Sequence, residues 1–150
     1  MDRSNGLIQL YDALIREIVH LPVIRKSDEE WKKILSPESY RVTRLQDTEP
    51  AFSGAFYHHW NPGFYVCICC KTYLFSSGDK FDSGTGWPSF TQAVSDLNIV
   101  SLHDTSYGME RTEVRCARCG AHLGHVFTDG PGPAGLRYCI NSLSLSFILG

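Results

Sequence analysis

Residues 110–128, ERTEVRCARCGAHLGHVFT, read as a strand, a metal knuckle and a second strand. Glu110 to Cys116 and His122 to Thr128 are the short strand-like runs, and Cys116-Ala117-Arg118-Cys119 lies between them. Two residues between thiolates let a tight turn aim both sulfurs at one ion, at about 2.3 Å for zinc. Gly120, just past the second thiol, can take the positive φ such a turn needs. The arrangement recurs in residues 63–75, GFYVCICCKTYLF, where Cys67 and Cys70 hold the equivalent places and Leu74 echoes Leu123. Paired, the knuckles close a tetrahedral four-thiolate site at Cys67, Cys70, Cys116 and Cys119 with no open position, which points to structural zinc. Iron is the closer rival metal, and a redox dithiol or disulfides are the other readings. The long segment between the knuckles must be a folded lobe joined across its base. Cys69, inside the first knuckle, is expected to have no role.

Outward from the knuckles, further short strands are punctuated by Gly and Pro: Gly63 to Ile68, Tyr73 to Phe75, Asn98 to His103 and Leu136 to Leu149. That density predicts a mainly β, antiparallel domain with helices at its N-terminal end. Leu7, Leu10, Tyr11, Leu14, Ile15 and Ile18 fall at helical spacing, which predicts an amphipathic helix over 7–19 capped by Ser4 or Asn5. Ser27-Asp28-Glu29-Glu30 is a capping box opening a helix through Leu35, and Ser36-Pro37-Glu38 starts another. Asp47-Thr48-Glu49-Pro50 reads as a turn-rich link.

Composition excludes some functions. A net charge of −2 and a pI near 6.3 leave no basic footprint for nucleic acid or an anionic membrane. No apolar run is long enough to span a bilayer, and the stretch from Leu7 to Ile24 is broken by Asp12, Arg16, Glu17 and His20, so no signal peptide is read. The expectation is a single intracellular, cytoplasmic domain over 1–150, monomeric, with 1–25 a helical extension and 26–150 the main body.

In residues 135–142, GLRYCINS, Leu136, Tyr138 and Ile140 share one strand face, leaving Arg137, Cys139 and Asn141 on the other. A cation beside a thiol stabilises the thiolate that attacks, and an amide can hold a polar substrate atom. The pattern also suits an ordinary half-buried cysteine. After Asn141 the phase slips, as at a bulge, making Leu143, Leu145, Phe147 and Leu149 the inward set. Two more stretches shift the balance towards chemistry. FDSGTGWPSF, residues 81–90, presents Trp87 on a glycine-rich loop, either as a face for an apolar or sulfur-bearing group or as a core cap. AHLGHVF, residues 121–127, holds His122 and His125, which a bulge at Gly124 would bring to one face for proton transfer.

Together SGTGWPSF (83–90), AHLGHVF (121–127), DGP (129–131) and RYCINS (137–142) resemble the signatures of type B methionine sulfoxide reductases, in the right order, with the likeness running from about Trp31 to Phe147. The resemblance implies two antiparallel sheets forming a barrel-like (β-tent) core with peripheral helices and, at the four knuckle cysteines, zinc. It implies reduction of the R epimer of methionine sulfoxide in oxidised proteins, a repair of oxidative damage. Cys139 would be the nucleophile. His122 and His125 would surround the sulfoxide oxygen, and Asn141 would hold it. Arg137 would lower the thiol pKa, and Trp87 and Phe127 would bind the substrate methyl group. Many members place a resolving cysteine where Thr85 stands. Its absence predicts a one-Cys cycle in which thioredoxin or another thiol reduces the Cys139 sulfenic acid directly. A zinc-stabilised binding module is the rival class, but it would need none of the thiol, the histidine pair or the Trp-Pro loop.

Overall fold

Alternation along the chain becomes eleven strands and two helices in the computed structural model, which describes residues 6–150. In order these are β1 (Leu7–Asp12), β2 (Glu17–Pro22), α1 (Asp28–Ile34), α2 (Pro37–Leu45), β3 (Gly63–Cys67), β4 (Tyr73–Ser76) and β5 (Lys80–Phe81). Then follow β6 (Ser89–Phe90), β7 (Ile99–Asp104), β8 (Arg111–Cys116), β9 (His122–Phe127), β10 (Arg137–Ile140) and β11 (Leu145–Leu149). A six-stranded sheet runs β5-β6-β10-β9-β8-β7 and a three-stranded sheet β11-β3-β4. All pairings are antiparallel. The two expected sheets are present, and a barrel describes them only loosely, because neither closes on itself. No helix is long and apolar enough to cross a membrane among the described residues.

The sheets share one core. Tyr65, Leu74 and Phe75 of the smaller sheet are buried with Phe90, Val114, Leu123, Tyr138 and Ile140 of the larger. Phe75 stacks on Phe90 with centroids 4.4 Å apart, and Tyr65 meets Phe90 edge-on at 5.2 Å. Such ring pairs contribute about 0.5–1.5 kcal/mol each beyond the area they bury. The chain crosses between sheets through a 3-10 turn at Ser142–Ser144. That turn, and not a bulge, causes the phase slip after Asn141. Leu145 is buried against Cys67, but Leu149 is 71% exposed at the strand end, which corrects the expected inward set.

Both expected short helices form. Ser27 and Glu30 complete the capping box of α1, and Ser36 caps α2 with Pro37 in its first turn. α2 is tied to the inter-sheet turn by Ser39 Oγ, which donates to the Leu143 carbonyl at 2.7 Å.

The helix expected over 7–19 does not exist; β1 and β2 form a hairpin in its place. The helical extension assigned to residues 1–25 is therefore a strand pair where described, and the expected caps Ser4 and Asn5 lie outside the described residues. A different set of apolar residues fits a period of two. Ile8 pairs with Leu21 and Leu10 with Val19 on the covered face, while Leu14, Ile15 and Ile18 are exposed. Asp12 turns the chain: its Oδ1 accepts from the N–H groups of Leu14 and Ile15, and Arg16 takes a left-handed φ of 58°. Distant partners decide the matter. Buried Asn98 exchanges two hydrogen bonds with the Tyr11 backbone, and the Ile24 N–H donates to the Arg118 carbonyl.

Candidate active site and metal centre

The two knuckles are built alike. In the first, Cys67 N–H donates to the Thr72 carbonyl and Lys71 N–H to the Cys67 carbonyl; in the second, Cys116 N–H donates to Ala121 and Gly120 N–H to Cys116. Gly120 and Lys71 both sit at positive φ, 76° and 68°. Local bonding thus aims each pair inward, and the four sulfurs of Cys67, Cys70, Cys116 and Cys119 lie within 4.8 Å of one another. Cys67 and Cys119 are 3.6 Å apart and Cys70 and Cys116 3.5 Å. Bonds of 2.3 Å to a tetrahedral ion would set that edge at about 3.8 Å. The donor set therefore fits zinc, and all six cysteines are free thiols, which sets the disulfide reading aside. Arg44 faces this cluster: its Nη1 lies 3.7 Å from Cys119 Sγ and 3.9 Å from Cys69 Sγ, its Nη2 donates to the Cys119 carbonyl, and its guanidinium stacks over Trp31. A cation there would offset the negative charge of four thiolates on a divalent ion held among them.

Around Cys139 the larger sheet assembles a second site. β10 lies between β6 and β9, so Cys139 pairs with Ser89 on one side and His125 on the other. The Ser89 side brings the Trp-Pro loop, latched by Ile140 N–H donating to the Pro88 carbonyl at 2.9 Å. On the other side Gly124 passes so close that a Cβ would strike the Cys139 carbonyl oxygen. Thr48, Trp87, Arg111, Gly124, His125, Phe127, Cys139 and Asn141 line a pocket of about 100 Å³. Trp87 is half-buried and faces this pocket, which decides against the core-cap reading.

Five of the expected residues thus converge: Cys139, His125, Asn141, Trp87 and Phe127. The two histidines do reach one side. Val114 pairs with Gly124 but Arg115 with His122, so Leu123 is the extra residue of a bulge in β9. The rings lie 5.5 Å apart. Yet His122 stands behind His125, lining an adjoining recess and not the Cys139 pocket. Arg137 also stands outside that pocket, held by two hydrogen bonds to Asp129 with its guanidinium over the Phe127 ring.

Carboxylates orient both rings. His122 Nδ1 is 2.6 Å from Glu113 Oε2, and His125 Nε2 is 2.8 Å from Asp104 Oδ2. An ionised carboxylate only accepts, so each of these nitrogens carries the proton. That leaves His122 Nε2 and His125 Nδ1 as the free ring atoms, and His122 Nε2 is buried with no partner among the described residues. Burial lowers the His122 pKa against the pull of Glu113. Glu113 loses solvation, but hydrogen bonds from Arg115, Gln46 and His122 outweigh that and hold its pKa below the ordinary value. The His125 hydrogen bond, with those of Ser106, keeps Asp104 well below the usual carboxylate range. Cys139 departs from expectation. Burial pushes its thiol pKa up, and the opposing Arg137 charge and Thr85 hydrogen bond do not cancel it.

Several residues of the site went unread in the sequence. Glu49 N–H donates to Asn141 Oδ1 at 3.0 Å, and its carbonyl accepts from Trp87 Nε1 at 2.9 Å, so one residue's backbone orients both side chains. Its carboxylate is buried and accepts from Leu143 N–H. Asp104, Glu113 and Arg111 join it. Nothing local in a turn-rich link or an exposed-looking strand marks such residues; their partners lie far along the chain.

A family model described as the SelR domain matches residues 35–149. A peptide methionine sulfoxide reductase MsrB of Thioalkalivibrio sulfidiphilus is 63% identical over 121 residues, covering 81% of this chain and 88% of that protein. Proteins of the same name from Leptospira interrogans and Methanosarcina barkeri are 58% and 56% identical over 124 residues, covering 83% of this chain and 95% and 87% of theirs. Motifs, fold and site thus agree, and the chain belongs to the type B methionine sulfoxide reductases, the SelR family.

Proposed function

We propose that this chain is an oxidoreductase that reduces methionine sulfoxide, specifically the R epimer in oxidised proteins, with Cys139 as nucleophile. The observation that carries the reading is the convergence, on one pocket the size of a single side chain, of a thiol, an imidazole, an amide and an indole face. The free His125 Nδ1 takes the Cys139 proton, and the thiolate attacks the sulfoxide sulfur, forming an S–S bond, while the imidazolium returns that proton to the sulfoxide oxygen. The protonated oxygen then passes to the cysteine sulfur as the S–S bond and the substrate's S–O bond break, leaving methionine and a Cys139 sulfenic acid. Trp87 and Phe127 pack on the methyl group. Asn141, its amide oxygen committed to Glu49 and one N–H to Leu123, presents its remaining N–H to the oxygen. His122 supports His125 from behind, and Arg137 favours the thiolate against the effect of burial.

Thr85 occupies the place of the family's resolving cysteine, so the cycle closes through an outside thiol. A first thiol condenses with the sulfenic acid to a mixed disulfide and water; a second thiol releases Cys139. Thioredoxin or another thiol reductant fills that role, in a cytoplasmic, monomeric, single-domain protein. Zinc at the four knuckle cysteines would join the strands at the base of the lobe and take no part in the reaction.

Separate R and S epimers of a peptide methionine sulfoxide, given to wild type and Cys139→Ser with a dithiol, test the reading. Consumption of the R epimer alone, abolished by the substitution, is expected. A folded, zinc-loaded protein that consumes neither epimer would sink it.

A further inference from the structure

Behind the Cys139 pocket lies a second, polar recess of about 250 Å³. It shares Thr48, Arg111 and His125 with that pocket, so the two adjoin. Arg111 stands at the junction. Its Nε is buried without a hydrogen-bond partner among the described residues, and its Nη2 reaches Asp104 Oδ2 only at 3.7 Å. Asp104 is already engaged by His125 Nε2 at 2.8 Å and by the Ser106 N–H at 2.9 Å. At the rim, Tyr107 is 89% exposed and held at a left-handed φ of 58°, a conformation that bulky residues avoid.

A pocket of about 100 Å³ takes one side chain, so the rest of a polypeptide substrate must lie on the adjoining surface. Whatever flanks an oxidised methionine carries main-chain carbonyls. The Arg111 side chain is 22% exposed and its one nearby carboxylate is already taken by other donors, so the accessible N–H groups of its guanidinium stay open to such an oxygen as charge-assisted donors. We propose that Arg111 and this recess form the subsite for the polypeptide beside the oxidised methionine, the guanidinium donating to a substrate main-chain carbonyl and Tyr107 packing along the chain. The inference rests on the reductase reading and adds to it a determinant of preference for peptides over small sulfoxides.

Two substrates test it: a nonapeptide with central methionine-R-sulfoxide, and (R)-methyl p-tolyl sulfoxide, which has the sulfoxide and methyl group but no main chain. For Arg111→Met, the fall in kcat/KM on the peptide should exceed that on the small sulfoxide by about tenfold or more, expressed in KM. Equal losses on both, carried by kcat with a displaced pH profile, would mean that Arg111 acts through Asp104 and His125, and would overturn the subsite. Should Arg111→Met fail to fold, Tyr107→Asn decides at an exposed position that tolerates the backbone angle. A loss at least about threefold larger on the peptide supports the subsite, and equal effects reject it. Wild type inactive on both sulfoxides is a different result, the failure of the reductase reading itself.

Discussion

His122 Nδ1 lies 2.6 Å from Glu113 Oε2, and both side chains are almost wholly out of water, 3% and 4% exposed. Glu113 also accepts from Gln46 Nε2 and Arg115 Nε. One buried carboxylate therefore sets the tautomer of a ring next to His125 and ties the C-terminal end of α2 and β8 to it. Removing one partner of such a group leaves the others buried and unmatched, the costly half of a hydrogen bond.

Glu113→Ala should accordingly lower stability by about 2–4 kcal/mol, read from urea unfolding. A loss below about 0.5 kcal/mol would show that the network holds nothing together.

The same pair makes stability depend on pH. The His122 pKa is lowered from its ordinary 6.5, so below 6.5 the unfolded chain takes up a proton that the folded chain refuses. Stability is complete above 6.5 and falls as pH drops towards the folded value. Glu113, lowered from 4.5, adds a further loss of the same sign below 4.5. The upper step should shrink in His122→Asn to the part that His59, also lowered from 6.5 by burial and by Lys80, contributes, and an unchanged step there would assign it to other groups.

Burial holds the Cys139 thiol above its ordinary pKa of 9.0, with Arg137 pulling the other way. Alkylation by iodoacetamide should therefore climb with pH through and beyond 9.0. Arg137→Met should slow it about threefold at pH 7 and move the midpoint upward. A midpoint below 9.0 in the resting protein would contradict the balance described above.

Thr85 stands near enough to the Cys139 thiol to lower its pKa. Wild type should accumulate a sulfenic acid, trapped by dimedone, when sulfoxide is added without thiol. In Thr85→Cys that adduct should give way to an internal disulfide between the introduced thiol and Cys139, seen as a loss of two titratable thiols. A trapped sulfenic acid at wild-type yield in the variant would show that the loop holds the two positions apart.

Metal analysis should find one zinc per chain, lost in Cys116→Ser with a fall in Tm of about 10 °C or more. Arg44→Met, which strips a cation from beside Cys119, should hasten zinc release to a chromogenic chelator several-fold. Unchanged release would leave Arg44 as no more than packing on Trp31.

Much of this was legible in the chain itself. The knuckles, the capped helices and the alternation around Cys139 are decided by residues within a few positions of one another. Cys-x-x-Cys spacing, the Ser27 capping box and strand parity need no distant partner to take shape. The hairpin at residues 7–22 was misread because Leu7, Leu10, Tyr11, Leu14, Ile15 and Ile18 fit a period of 3.6, while the period of two is carried only by Ile8 and Leu10 and by Val19 and Leu21. The Asp12 turn and the bonds to Asn98 select the second.

Sequence by itself thus determined the mainly β class, the four sulfurs of the cysteine cluster and the face on which Cys139 stands, because each follows from local geometry. Tertiary structure alone decided that Glu49 orients Trp87 and Asn141, that His122 stands behind His125, and that the thiol pKa lies above its ordinary value in spite of Arg137. Those outcomes depend on burial and on hydrogen bonds between residues far apart along the chain, and neither exists until the two sheets close over one core.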